Sequence, residues 1–285
     1  MHFAREIGMI TRRQFAAASA VLATMHPHQP ALGQTTNVGA ADAGTTSTHD
    51  MSMMPANWMG SEKTAFLIYP EFTALDMVGP YHMLASLMGA TTLLVARKKE
   101  LVKSDNGLTF LPSATFDDCP RDLDIICVPG GSNGTLAAMQ DEETMRFLAD
   151  RGSRAKYVTS VCTGSLLLGA AGLLRGYKAT SHWKTRDLLA IFGAIPTEGR
   201  VVRDRNRITG GGVTAGIDFG LSMVGSLRDR PYAETVQLLA EYAPEPPYNS
   251  GTPSSASRET RALMDEMFVE FMKNAEAICR KKANL

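Results

Sequence analysis

The sequence has little that would mark it for nucleic acid, for a metal or for a membrane. Its 29 lysines and arginines are matched by 29 aspartates and glutamates, for a formal net charge of zero. No helical stretch gathers its basic residues into a stripe, so a polyanion finds no electrostatic footprint. Only four cysteines occur among 285 residues, namely Cys119, Cys127, Cys162 and Cys279. They form no CxxC pair and stand at no metal-ligand spacing to a histidine, which excludes the common zinc and thiol-redox motifs. No apolar run approaches the roughly twenty residues that span a bilayer. Internal repeats are lacking too. These absences leave a small molecule as the partner, with no cofactor implied.

What is present changes character along the chain. Arg12-Arg13, followed by Gln14-Phe15 and the short apolar run Ala16 to Met25, has the order of a twin-arginine export signal. Residues 1–33 are therefore expected to be a signal peptide, with cleavage near Ala31-Leu32-Gly33, and the mature protein to be periplasmic or otherwise exported and free of the membrane. Residues 34–60 are rich in Thr, Ser, Gly, Ala and Met without aliphatic periodicity, and read as a flexible linker with too little apolar surface to offset its ordering entropy. His49, Asp50, Met51, Met53 and Met54 are of types that bind copper, but without a spacing rule they read as part of that linker. Residues 61–285 suit a single catalytic domain with a C-terminal helical extension.

Within that domain, apolar runs alternate with helical segments. Strands are expected at Thr64 to Tyr69, Thr91 to Ala96, Asp124 to Val128, Lys156 to Val161 and Ala179 to Trp183. Hairpins turn at Asp105-Asn106-Gly107 and at Asp204-Arg205-Asn206. Helices are expected at Tyr81 to Met88, opened by Pro80, at Glu142 to Arg151, capped by Asp141, and at Gly164 to Ala171, Lys184 to Phe192, Thr214 to Leu227 and Pro231 to Tyr242. A last long helix covers Ser257 to Lys282. Strands alternating with helices give an α/β fold, a mostly parallel sheet sandwiched by helices.

The stretch Thr159-Ser160-Val161-Cys162-Thr163-Gly164-Ser165 carries the chemistry. A strand ends, one residue turns, and small residues begin a helix: a nucleophile elbow with Cys in place of Ser. Such a turn exposes the sulfur at the carboxyl edge of the sheet, and the helix N-terminus is expected to lower the thiol pKa. A buried structural cysteine is the competing reading. The amide of Thr163, and those of Gly130 and Gly131 after the preceding strand, are candidate oxyanion donors; a plain tight turn reads equally well for the glycines. Asp76, between apolar neighbours just past the first strand, suits a proton donor with a raised pKa, although the local sequence alone favours a helix N-cap. His182 stands alone before Trp183, as structural histidines often do.

Together these stretches resemble the ThiJ/PfpI superfamily, with its class I glutamine amidotransferase-like (flavodoxin-like) fold. The likeness rests on YPEFTALDMVGPYHMLASL, DIICVPGG, YVTSVCTGSLLLGAAGLL, ATSHW, RVVRDRNRITGGGVTAGIDF and EYAPEPPYNSGTP, from about Thr64 to Pro253. It implies that Cys162 and Asp76 are the catalytic pair and that His182 takes the place of the superfamily's histidine beyond the nucleophile. Within the superfamily the likeness is to the branch that hydrates isonitriles to N-substituted formamides. His82 stands where such relatives usually carry an acid. A glyoxalase, deglycase or amidohydrolase chemistry on the same pair is the alternative, and a non-enzymatic ligand-sensing domain is the other. The resemblance also implies a homodimer, and Leu263, Met267, Phe268, Phe271 and Ile278, at helical spacing in the final helix, offer a face for the contact.

Overall fold

The first buried strand, β1 (Lys63–Leu67), anchors a seven-stranded sheet because its apolar run has layers to bury against on both sides. The computed structural model describes residues 54–284; the twin-arginine segment and most of the expected linker, with its candidate copper ligands up to Met53, lie outside the described residues. After β1 the chain runs through α1 (Ala74–Ala85), β2 (Thr91–Ala96), the hairpin β3 (Val102–Lys103) and β4 (Thr109–Phe110), and β5 (Ala114–Thr115). It returns through β6 (Ile125–Val128), α2 (Ser132–Gln140), α3 (Glu142–Arg154), β7 (Tyr157–Val161) and α4 (Gly164–Ala170). Then come β8 (Lys178–Ala179), a 3-10 helix (Arg186–Phe192), β9 (Ile195–Pro196), β10 (Val201–Asp204), β11 (Arg207–Gly210), α5 (Ala215–Leu227), α6 (Arg230–Leu239), α7 (Arg258–Met267) and α8 (Val269–Ala283).

The sheet order is β10-β11-β7-β6-β1-β2-β5, and every pairing is parallel except β10 with β11. The order reverses between β1 and β6, so the crevice at their carboxyl ends is where an open α/β sheet takes its ligand. The turns after β1, β6 and β7 all open there.

Five local expectations are corrected. The first helix starts at Ala74 rather than Tyr81, so Pro80 lies inside it and removes the bond to the Asp76 carbonyl; packing on α5 outweighs that loss, with Gly79 and Gly216 letting the two helices approach. The strand at Ala179 is only two residues long, and the following helix is 3-10 rather than α. The final helix breaks at Phe268 into α7 and α8. Finally, the end of the expected linker is docked: Ala56–Trp58 form a 3-10 turn, Trp58 Nε1 donates to the Asp229 carboxylate at 3.1 Å, and its ring meets Tyr232 edge-on at 4.9 Å.

Candidate active site

β7 delivers Cys162 to the elbow, and the elbow is strained. Cys162 has φ +57°, a left-handed conformation that costs a side-chain-bearing residue about 1–2 kcal/mol. The surroundings hold it there. Its N–H donates to the Gly210 carbonyl at 3.1 Å and its own carbonyl accepts from Ser181 Oγ at 2.9 Å. Ser165, bonded to Ser160 at 2.8 Å and to the Thr180 carbonyl at 2.6 Å, braces the turn from below. Gly164 is required by close approach: a Cβ there would run into the Val128 carbonyl. Cys162 is 7% exposed, so the elbow is almost wholly covered.

Asp76 comes to the same place from the first turn of α1. It is no N-cap: Thr73 holds that position, and the Asp76 side chain is fully buried. Oδ2 accepts the Gly130 N–H at 2.9 Å, while Oδ1 is buried without an oxygen or nitrogen donor. The Cys162 thiol acts on the same carboxyl and, like the Gly130 amide, favours its charged form. Burial pushes the Asp76 pKa from 3.8 up to about 7, against the pull of the Gly130 amide. Burial, and then the Asp76 charge, also push the Cys162 thiol well above its ordinary value. This overturns the expected lowering by the helix N-terminus: the thiol is desolvated beside an acid, and the short α4 does not compensate. As pH rises through about 7 the pair therefore passes from two protons to one shared between two groups, and its titration belongs to the pair.

The two glycines are placed beside the pair but their amides are already used. Gly130 N–H serves Asp76, and Gly131 N–H donates to Thr163 Oγ1 at 2.9 Å. They build the site instead of facing an oxyanion. A side chain at Gly130 would collide with Thr163 N at 2.6 Å and approach Asp76 Oδ2 at 2.9 Å, so Gly is needed for the contact. The Thr163 amide points to the Cys162 sulfur and favours its anion. Its hydroxyl belongs to a buried chain through Thr135 Oγ1, at 2.8 Å, to Tyr69 Oη, at 3.1 Å, and on to the Pro129 carbonyl, at 2.7 Å. Sequence reasoning missed Tyr69, Thr135 and Ser181. Their polarity inside apolar or helical runs was the available signal, but the partners come from distant segments.

His182 follows Ser181 and is half-buried, with burial lowering its pKa. Among the described residues no hydrogen bond joins it to Cys162 or Asp76; instead Nδ1 accepts the Lys184 N–H at 3.4 Å and the ring stacks on Phe268. His82 is exposed on α1. A cavity of about 660 Å³ lined by Tyr69, Arg97, Leu101, Lys103, Phe116 and Asp141, among others, does not include Cys162, Asp76 or His182. Among the described residues no cluster of three or more His, Cys, Asp or Glu side chains could hold a metal ion.

Known proteins place this arrangement. The chain is 51% identical over 201 residues to isonitrile hydratase from Pseudomonas putida, covering 70% of this chain and 86% of that protein. It is 28% identical over 148 residues to a deglycase from Pyrococcus horikoshii, covering 52% of this chain and 88% of that one. A crystal structure of a THiJ/PfpI family protein from Pseudomonas syringae superposes with a TM-score of 0.80 at 58% identity, over 83% of this chain and 98% of that one. Residues 62–226, which carry the sheet and all three turns of the site, match the DJ-1/PfpI family model, and the chain belongs to that family.

Proposed function

We propose that the protein hydrates isonitriles to N-substituted formamides, with Cys162 as nucleophile and Asp76 as the group that moves the protons. The observation that carries this reading is the buried Cys162–Asp76 pair at a left-handed elbow, in a chain half identical to an isonitrile hydratase. The thiol sulfur bonds to the terminal carbon of R–N≡C while its proton passes through the Asp76 carboxylate to the same carbon, giving Cys162–S–CH=N–R. Thiolate with neutral Asp76 is the minor tautomer of the same one-proton pair, so acid and base descriptions of Asp76 are one state. Water then adds to the thioimidate carbon, Asp76 taking one proton and delivering it to nitrogen. The C–S bond breaks, the hydroxyl proton returns to sulfur, and R–NH–CHO leaves. Water adds and nothing is oxidised. The Thr163 amide stabilises the sulfur anion when it forms and when it departs.

Purified protein incubated with cyclohexyl isonitrile should release the formamide, detected by proton NMR. Cys162→Ser should abolish turnover with the fold intact by circular dichroism, because an alcohol is a far weaker nucleophile without a strong base. Cys127 lies mid-sheet with burial pushing its thiol up to about 12, so Cys127→Ala should keep most activity. Retained turnover in Cys162→Ser sinks the assignment. The likeness to a deglycase favours a second reading, aldehyde chemistry on the same pair. Consumption of methylglyoxal without consumption of isonitriles would decide for it.

A further inference from the structure

The family model ends at residue 226, whereas α7 and α8 run from Arg258 to Ala283. These helices are built into the domain. α8 packs on α2, on α4 and on the 3-10 helix, burying Ala275 and Cys279. α2 and α4 are the helices that begin at Gly131 and at the elbow. Phe268, where α7 gives way to α8, stacks face to face on His182 with ring centroids 5.6 Å apart and planes 13° apart, and Phe271 meets it edge-on, also at 5.6 Å. Lys184 Nζ holds Asp265 of α7 at 2.7 Å and lies 5.0 Å over the Trp183 ring. The segment His182-Trp183-Lys184 is thus covered by the C-terminal helices one residue after Ser181 bonds the Cys162 carbonyl.

We infer that α7 and α8 border the approach to Cys162 through the segment that follows Ser181, with the Phe268 ring, stacked on His182, as the wall that limits the size of the isonitrile substituent. The inference rests on the hydration proposed above for its substrate class. Its chemistry follows from the residues: an aromatic ring on a half-buried imidazole gives an apolar, rigid surface, and the Lys184–Asp265 pair fixes the helix that carries it. A substituent reaching past the elbow meets this wall, so substituent bulk rather than charge is what the site sorts.

Two measurements test it with separate dependence on the reaction. In Phe268→Ala, kcat/KM for 1-adamantyl isonitrile relative to cyclohexyl isonitrile should rise about tenfold, with Phe268→Leu in between, because a lost ring opens volume for a bulkier group. Alkylation of Cys162 by a bulky N-arylmaleimide relative to iodoacetamide, with Cys162→Ala as the blank, should shift in the same direction. If the alkylation ratio moves and no isonitrile is consumed by any variant, the hydration reading fails and the wall stands. If isonitriles are consumed and neither ratio moves beyond about twofold, the wall is overturned. Should Phe268→Ala fail to fold, Asp265→Asn, at an exposed position, releases α7 from Lys184; unchanged ratios there overturn the inference as well.

Discussion

At Asp76 the folded protein holds a carboxyl in water-poor surroundings, and the same burial that suits it to proton transfer costs stability. Its pKa rises from 3.8 to about 7 on folding, so the folded state binds the extra proton between those values. The favourable contribution is fully present below the unfolded value and is lost as pH rises through about 7. Moving a buried carboxyl that far corresponds to about 4 kcal/mol. Asp76→Asn keeps an oxygen for the Gly130 N–H but cannot ionise. Urea denaturation should therefore find the variant close to the parent at pH 4 and more stable by several kcal/mol, at most about 4, at pH 8. A difference that does not vary with pH would mean that the carboxyl is not desolvated. Activity should move the other way, falling about 10²-fold or more in the variant. In the parent, kcat/KM should climb with pH through an apparent pKa near 7, as the pair sheds its second proton to reach the one-proton state. That ascending limb should be missing from Asp76→Asn.

Among the elements, the seam between the N-terminal segment and the α5–α6 corner is the least expected and the most open to test. Arg228 grips Glu62 with two bonds, 2.6 and 2.8 Å, and also donates to the Trp58 carbonyl at 2.8 Å. The Arg228 side chain is 2% exposed and that of Glu62 15% exposed, so Glu62→Ala leaves a buried guanidinium without its carboxylate and should cost about 3 kcal/mol. The Arg228 hydrogen bond holds the Glu62 pKa below its ordinary value, so this cost should be present above that ordinary value and shrink as pH falls through the lowered one. A loss under about 0.5 kcal/mol would return residues 56–60 to the linker. Sequence could not show this seam, because Trp58 and Asp229 are 171 residues apart and only packing joins them. The strands, by contrast, were legible: Thr91 to Ala96 appears within the same bounds, and the turn at Asp105-Asn106-Gly107 joins β3 to β4. Buried parallel strands announce themselves as continuous apolar runs. Elements governed by tertiary contact were not legible. α1 reaches back to Ala74 because Asp76 is drawn onto Gly130, and the final helix breaks where Phe268 stacks on His182. The elbow was visible as a strand meeting small residues; the direction of the thiol shift was not, since desolvation depends on what covers the sulfur.

For the whole molecule, two expectations remain to be measured, its destination and its assembly. Arg12→Lys with Arg13→Lys preserves charge but should block twin-arginine transport, leaving the protein in the cytoplasmic fraction; an unchanged periplasmic yield would refute the signal. The expected homodimer needs a new contact surface. The face proposed for the final helix is divided, because Phe271 and Ile278 pack against the protein's own core while Leu263 and Met267 stay exposed at 65% and 73%. Leu263 and Met267 are four residues apart on α7, one turn on one side, and Val269 adjoins them at 59% exposure. Exposed apolar side chains of that kind are the part of the expected face still free to meet a second copy. Light scattering of the mature chain should give twice the monomer mass at micromolar concentration, and a monomer there ends the dimer proposal. Leu263→Glu with Met267→Glu places two charges on α7 without touching the buried face of α8. Dissociation of this variant assigns the contact to α7; an intact dimer puts the interface on another surface and leaves α7 serving only its own protomer.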